Sequence, residues 1–125
     1  PLLDRIDLQI TVPAMDITRL TSSSGVESSA TIRKRVKVAR TFQENRFKSS
    51  KIHFNSEMTS LQTREEAKMD SETEHFAITA AEKMGLSARG YYRILKVART
   101  IADLRSSNVV SKIDLAEALQ YRILK

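Results

Sequence analysis

The sequence predicts a mainly α fold, a small antiparallel helical bundle preceded by a short orphan β-strand and a flexible N-terminal segment. Three observations lead there. Apolar residues recur at helical spacing through most of the chain beyond residue 29, and serines and a glycine stand where helices start and stop. The one run that alternates at period two, residues 6–12, is cut off from the rest by a serine tract.

The run Ile-Asp-Leu-Gln-Ile-Thr-Val places Ile6, Leu8, Ile10 and Val12 on one strand face, and Pro13 stops the pattern. Thr21-Ser22-Ser23-Ser24-Gly25 is small and polar and reads as a flexible connector. The chain therefore divides into residues 1–26, a remnant of a preceding domain, and residues 27–125, the helical domain. The strand has no partner strand downstream and the chain opens on Pro1 without an initiator Met, so a piece of a longer protein is expected. A lone strand cannot satisfy its own backbone groups, which predicts that residues 1–26 are mobile or only loosely docked.

A first long helix is predicted from Ser29 to Phe47, with Ile32, Val36, Ala39 and Gln43 on one stripe and Val38 and Phe42 beside it. Asn55 or Ser56 then caps a short helix through Leu61, and the charged stretch Thr63–Lys68 leads onward. Ser71 and Glu74 stand at capping-box spacing, preceded by Met69, and open a helix that carries Phe76, Ala77, Ala80, Ala81 and Met84 and ends at Gly85. Ser87 caps the next, about Ala88 to Arg105. Tyr91, Leu95, Ala98 and Ala102 form its stripe, with Ile94, Val97, Ile101 and Leu104 alongside. So wide an apolar face makes this the central helix. Tyr91 is expected in the core and its neighbour Tyr92 at the rim. After a turn at 106–110, Ser111 and Asp114 cap a last helix with Leu115, Ala116, Leu119 and Ile123.

With 125 residues, the chain has the length of one ordinary domain. A 41% hydrophobic and 29% charged composition is that of a soluble globular protein, and no apolar run is long enough to cross a bilayer. No signal peptide and no cysteine are present, which fits a cytoplasmic protein; with two histidines, His53 and His75, the usual zinc and iron–sulfur ligand sets are missing and no metal site is predicted. The net charge of +6 is unevenly spread. Thr31–Lys51 holds eight basic residues against the single acid Glu44, and the balance turns acidic from Glu57 to Glu82.

No self-contained active site can be read from these residues. A phosphate-binding loop needs glycines that let successive N–H groups wrap a phosphate, followed by Lys and Ser or Thr; Gly25, Gly85 and Gly90 stand in no such setting. Asp4 and Asp7 have no histidine or cysteine near them in sequence.

Three segments in order do match something specific. Pro1-Leu-Leu-Asp-Arg-Ile-Asp-Leu8 resembles the arginine-finger segment of the magnesium-chelatase I subunit and the related ComM/YifB family. Leu86-Ser-Ala-Arg-Gly-Tyr-Tyr-Arg-Ile-Leu-Lys-Val-Ala-Arg-Thr-Ile-Ala-Asp-Leu104 resembles that family's lid signature, and Asp114-Leu-Ala-Glu-Ala-Leu-Gln-Tyr-Arg122 its closing helix. Glu27-Ser-Ser-Ala30 matches too, so the resemblance covers both ends of the chain and much of its middle.

The resemblance implies the helical lid of an AAA+ ATPase that works as a homo-oligomeric ring, expected to be a hexamer, with ATP and Mg2+ bound through a catalytic core upstream. Arg5 would be the arginine finger, reaching across a subunit interface to the γ-phosphate held by a neighbour, where a guanidinium stabilises developing charge. Arg89 would be the sensor-2 arginine, carried by the lid helix to the terminal phosphates. The alternatives are that Arg5 pairs with Asp4 or Asp7 at the surface, and that Arg89 is an ordinary exposed arginine. Arg93 and Arg99 on the same helix are second-rank ligand candidates and read first as surface or interface charges. The 125-residue chain alone is expected to be monomeric, to bind no cofactor and to turn over no ATP.

Arg33, Lys34, Arg35, Lys37 and Arg40 on the first long helix form a solvated face or track a nucleic-acid backbone, the DNA-handling link of ComM-type proteins favouring the latter. No aromatic residues interleave them to stack bases, so the solvated face ranks first. Two other functions remain open: a stand-alone nucleic-acid-binding helical module, and the regulatory ATPase part of a metal chelatase.

Overall fold

The structure is a computed structural model that describes residues 2–21 and 25–122. Among the described residues six α-helices follow one another: α1 Ile17–Leu20, α2 Ser29–Arg46, α3 Ser60–Ala67, α4 Ser71–Lys83, α5 Ala88–Leu104 and α6 Lys112–Gln120. Single 3-10 turns stand at Leu3–Arg5 and Asn55–Glu57.

The central helix is α5, which packs against α2, α3 and α6, while α4 rests on α6. Its apolar face runs through Ile94, Leu95, Ala98 and Ala102 and meets Ala67, Ala77, Val110, Leu115 and Ala118. Alanines at so many of these positions let the helix axes approach closely. The larger Ile94, Leu95 and Leu115, buried to within 4% of complete, contribute about 1.5 to 3 kcal/mol each. Tyr91 and Tyr92 are both half-buried against this cluster and meet edge to face with ring centroids 5.4 Å apart. The division into a core and a rim tyrosine does not hold, because the cluster extends round the helix far enough to take both.

The helix ends follow their local chemistry. Ser28, one residue ahead of the predicted start, accepts from Thr31 N–H and caps α2. Asp70 rather than Ser71 caps α4, accepting from Thr73 N–H at 2.7 Å; a carboxylate at that place also complements the helix dipole. Gly85 ends α4 at φ +63°, with Leu86 N–H on Ala81 C=O and Gly85 N–H on Glu82 C=O, the paired bonds of a Schellman ending. Ser87 caps α5 and the Ser111–Asp114 box caps α6, as their spacing predicts. Between α2 and α4 the register differs from expectation. Asn55 and Ser56 lie in the 3-10 turn, and a Thr59–Gln62 capping box opens α3, which runs through the charged stretch to Ala67.

No strand forms among the described residues. Ile6, Leu8, Ile10 and Val12 are exposed by 40% to 81%, the chain bends at Asp7, and the run's ladder-like contact is the bond from Gln9 N–H to Tyr121 C=O at 2.7 Å. Alternation marks a segment fit for a sheet, and a ladder needs a second strand. The short α1, capped by Asp16, lies between Pro13 and the connector; residues 22–24 of the connector lie outside the described residues, as does Ile123 of the last predicted stripe.

Arg99 is the largest correction. It is 1% exposed, and its guanidinium donates to the carbonyls of Glu66 at 3.0 Å, Asn108 at 2.9 Å and Ser107. Asp103, fully buried one turn later, lies 3.2 Å from Arg99 Nη2 and accepts both arms of Arg46 at 2.9 and 2.6 Å and the Asn55 amide at 2.9 Å. Burial pushes the Arg99 pKa down, and Asp103 opposes it. The network ties α2, the Asn55 turn, α3 and the loop after α5 to one carboxylate.

Candidate functional site

The first turn of α5 is presented by the ends that precede it. Gly85 turns the chain, Ser87 Oγ accepts from Gly90 N–H at 3.1 Å, and Arg89 then falls at the second helical position with its side chain exposed. Arg89, Arg93 and Lys96 recur at i, i+4 and i+7, so they share a face. That face borders a cleft of about 510 Å³ whose other lining includes Asp7, Ser56, Thr59, Ser60 and Tyr92. Thr59 and Ser60 begin α3, which adds the positive end of a helix dipole to three cations.

The three cations differ in how far they are committed. Lys96 donates to Ser56 C=O at 3.1 Å, and Arg93 pairs with Asp7. Arg89 has no hydrogen bond or ion pair among the described residues. A cleft so lined attracts an anion rather than a cation, and hydroxyls of Ser56 and Ser60 add donors suited to phosphate oxygens. Among the described residues, no three His, Cys, Asp or Glu side chains gather where a metal ion could sit.

Arg5 ends the 3-10 turn at Leu3–Arg5 and is exposed. Its expected surface partners are engaged elsewhere. Asp4 accepts from Arg122 at 2.8 Å and Asp7 from Arg93, so both carboxylates face the helices and Arg5 is left without a partner among the described residues. The N-terminal segment is thus docked at Asp4, Asp7 and Gln9.

The basic residues of α2 do not line the cleft and do not behave as one group. Arg33, Lys34 and Lys37 are exposed with no partner among the described residues. Arg35 holds both oxygens of Glu27, which keeps that carboxyl below its ordinary pKa, and Arg40 lies over the Phe54 ring with its guanidinium carbon 4.2 Å from the centroid. The sequence reading passed over Arg122, whose side chain is 7% exposed. It also ranked Arg93 below Arg89, although the shared helical face was readable from their spacing.

A helical bundle with a cationic cleft at the start of its central helix is a domain suited to receive an anion. The chain belongs to the family described as magnesium chelatase, subunit ChlI C-terminal, which it matches over residues 26–122. It is 40% identical to the competence protein ComM of Haemophilus influenzae over 99% of the chain and 24% of that protein. Identity to the uncharacterized protein YifB is 39% in Escherichia coli and 35% in Salmonella typhimurium, again over 99% of the chain and 24% of each relative. The chain spans about a quarter of the length of these relatives. It is a C-terminal domain of the ComM/YifB type, related to the magnesium-chelatase AAA+ proteins.

Proposed function

We propose that this chain is the lid of a ring-forming, cytoplasmic magnesium-chelatase-like AAA+ ATPase, in which Arg89 senses ATP and Arg5 acts in the neighbouring subunit's site. The observation that carries the reading is the uncommitted guanidinium of Arg89 at the mouth of a cleft that also holds Arg93, Lys96, Ser56 and Ser60. A triphosphate fits such donors. ATP supplies the anhydride whose hydrolysis drives the ring; this chain contributes Arg89 on the nucleotide it covers and Arg5 on the one bound next door, while the ligands of the accompanying Mg2+ belong to the upstream core. The exposed guanidinium of Arg5, with Asp4 and Asp7 turned away from it, is available to cross a subunit interface.

ATP hydrolysis by the full-length protein tests both roles. Arg5→Ala is expected to lower turnover by about 10³-fold or more, the effect of losing an arginine finger. Arg89→Ala is expected to lower it as well, and unchanged turnover in both variants removes the reading. The 125-residue chain by itself is expected to hydrolyse nothing.

A second reading, contact with DNA, draws on the relative named as a competence protein and on the exposed Arg33, Lys34 and Lys37 of α2. Neutralising those three together is expected to abolish salt-sensitive binding to duplex DNA, reducing the salt slope by about 0.9 per lost phosphate contact. A flat titration at low salt would leave α2 as a solvated face.

A further inference from the structure

Asp4 and Asp7 bracket Arg5, and each is held by an arginine from the helical domain. Arg122, at the end of α6, donates Nη2 to Asp4 at 2.8 Å; Arg93, on α5, pairs with Asp7. Both arginines lie at the same end of α5. Arg93 is one turn after Arg89, and Arg122 lies against the first turn, where a Cβ on Gly90 would stand 3.6 Å from its Nη2. A third tie, Gln9 N–H to Tyr121 C=O at 2.7 Å, closes the run on the residue next to Arg122. Between the ion pairs, Arg5 and Ile6 remain exposed.

We propose that these contacts form a clamp through which α5 sets the position of Arg5, with Asp7 and Arg93 as positioning residues. The proposal rests on the sensor and finger roles proposed above. Arg89 and Arg93 share one rigid helix, so a displacement of α5 when Arg89 meets a phosphate carries Arg93, and with it Asp7 and the finger segment. The state of a subunit's own nucleotide thereby governs the guanidinium it offers to its neighbour. Asp7 is 45% and Arg93 22% exposed, and an ion pair this open contributes little to stability. Its effect is on geometry, where a small misplacement of a reacting-site group is costly in rate.

The test is steady-state ATP hydrolysis by the full-length protein, together with its unfolding midpoint. Asp7→Asn leaves every cation of the cleft in place and releases the finger segment. It is expected to lower kcat about tenfold, a coupling typical of residues in one contact network, without raising KM for ATP and with the midpoint unchanged. Asp4→Asn is expected to act in the same direction, and reversing the pair, Asp7→Arg with Arg93→Asp, to recover much of the loss. Wild-type kcat in Asp7→Asn while Arg5→Ala is slow overturns the clamp and leaves the finger standing. A raised KM in Asp7→Asn, or a reversed pair no faster than Asp7→Asn alone, also overturns it. Wild-type turnover in Arg5→Ala and Arg89→Ala removes the underlying reading and the clamp with it.

Discussion

Toward its C-terminal half α5 carries Arg99, 1% exposed and bonded to three carbonyls and Asp103; in its first turn it carries Arg89, exposed and bonded to nothing described. The same side chain on the same helix does opposite work. A buried guanidinium is tolerable only when its charge and most of its donors are met, as they are for Arg99 apart from Nε, and one so engaged and enclosed has little to offer a ligand. An exposed one costs the fold little and remains available. The difference between the two ends of α5 therefore separates residues that hold the domain together from residues left available to a ligand, and each variant below bears on that division.

The largest effect is expected from Asp103→Ala. It strands two guanidiniums, Arg46 and Arg99, whose side chains are 8% and 1% exposed. Breaking a buried pair from one side typically costs about 3 to 5 kcal/mol, to be read by urea unfolding of the 125-residue chain. A loss under about 1 kcal/mol would show that the network is solvated in practice and would erase the contrast with the Arg89 end.

That network also marks where the sequence stopped being legible. Helix starts and stops were readable because their causes are local: Ser87, Gly85 and the Ser111–Asp114 pair act on backbone groups within a few residues. Arg99 depends on carbonyls of Glu66 and Ser107 and, through Asp103, on Arg46, which lies 57 positions from Asp103 in sequence. The local clue was Asp103 at i+4, on the stripe with Leu95 and Ala102. The predicted strand failed for the matching reason, since alternation describes a face and no second strand stands beside it among the described residues. In the cleft, Arg89 was legible through resemblance and Arg93 through spacing; Arg122 was not, because its partner Asp4 lies at the other end of the chain.

A middle-sized effect belongs to Asp114. Burial pushes its pKa up, but Arg105 and the N–H and hydroxyl of Ser111 outweigh that and hold it below the ordinary 3.8. A carboxyl depressed in the folded state stabilises above its unfolded pKa, and that stability fades as pH falls through the folded value. Thermal midpoints of the chain are expected to drop below about pH 4, and Asp114→Asn to lose about 1 kcal/mol at neutral pH while flattening part of the acid limb. An unaltered limb would assign the acid sensitivity to other carboxylates, Asp70 at the α4 cap first among them.

Ser87→Ala is expected to cost about 1 kcal/mol, through the loss of the bond that Gly90 N–H makes to the Ser87 hydroxyl. The same bond fixes how the first turn of α5 faces the cleft. If the two ends of the helix are independent, Ser87→Ala adds to Asp103→Ala without coupling, to within about 0.5 kcal/mol. A larger interaction in unfolding experiments on the double variant would mean that the network and the cleft are mechanically one unit.

The smallest effect is the most discriminating. Arg89 sits at the second position of α5, where a cation opposes the helix dipole, and it makes no described contact that would repay the cost. Arg89→Ala is therefore expected to leave the unfolding free energy of the 125-residue chain unchanged or to raise it by about 0.5 kcal/mol. A residue that slightly weakens its own helix and yet is needed for ATP turnover in the full-length protein has its purpose outside the fold. A clear destabilisation by Arg89→Ala would place it with Arg99 among the structural arginines and dissolve the distinction between the two ends of α5.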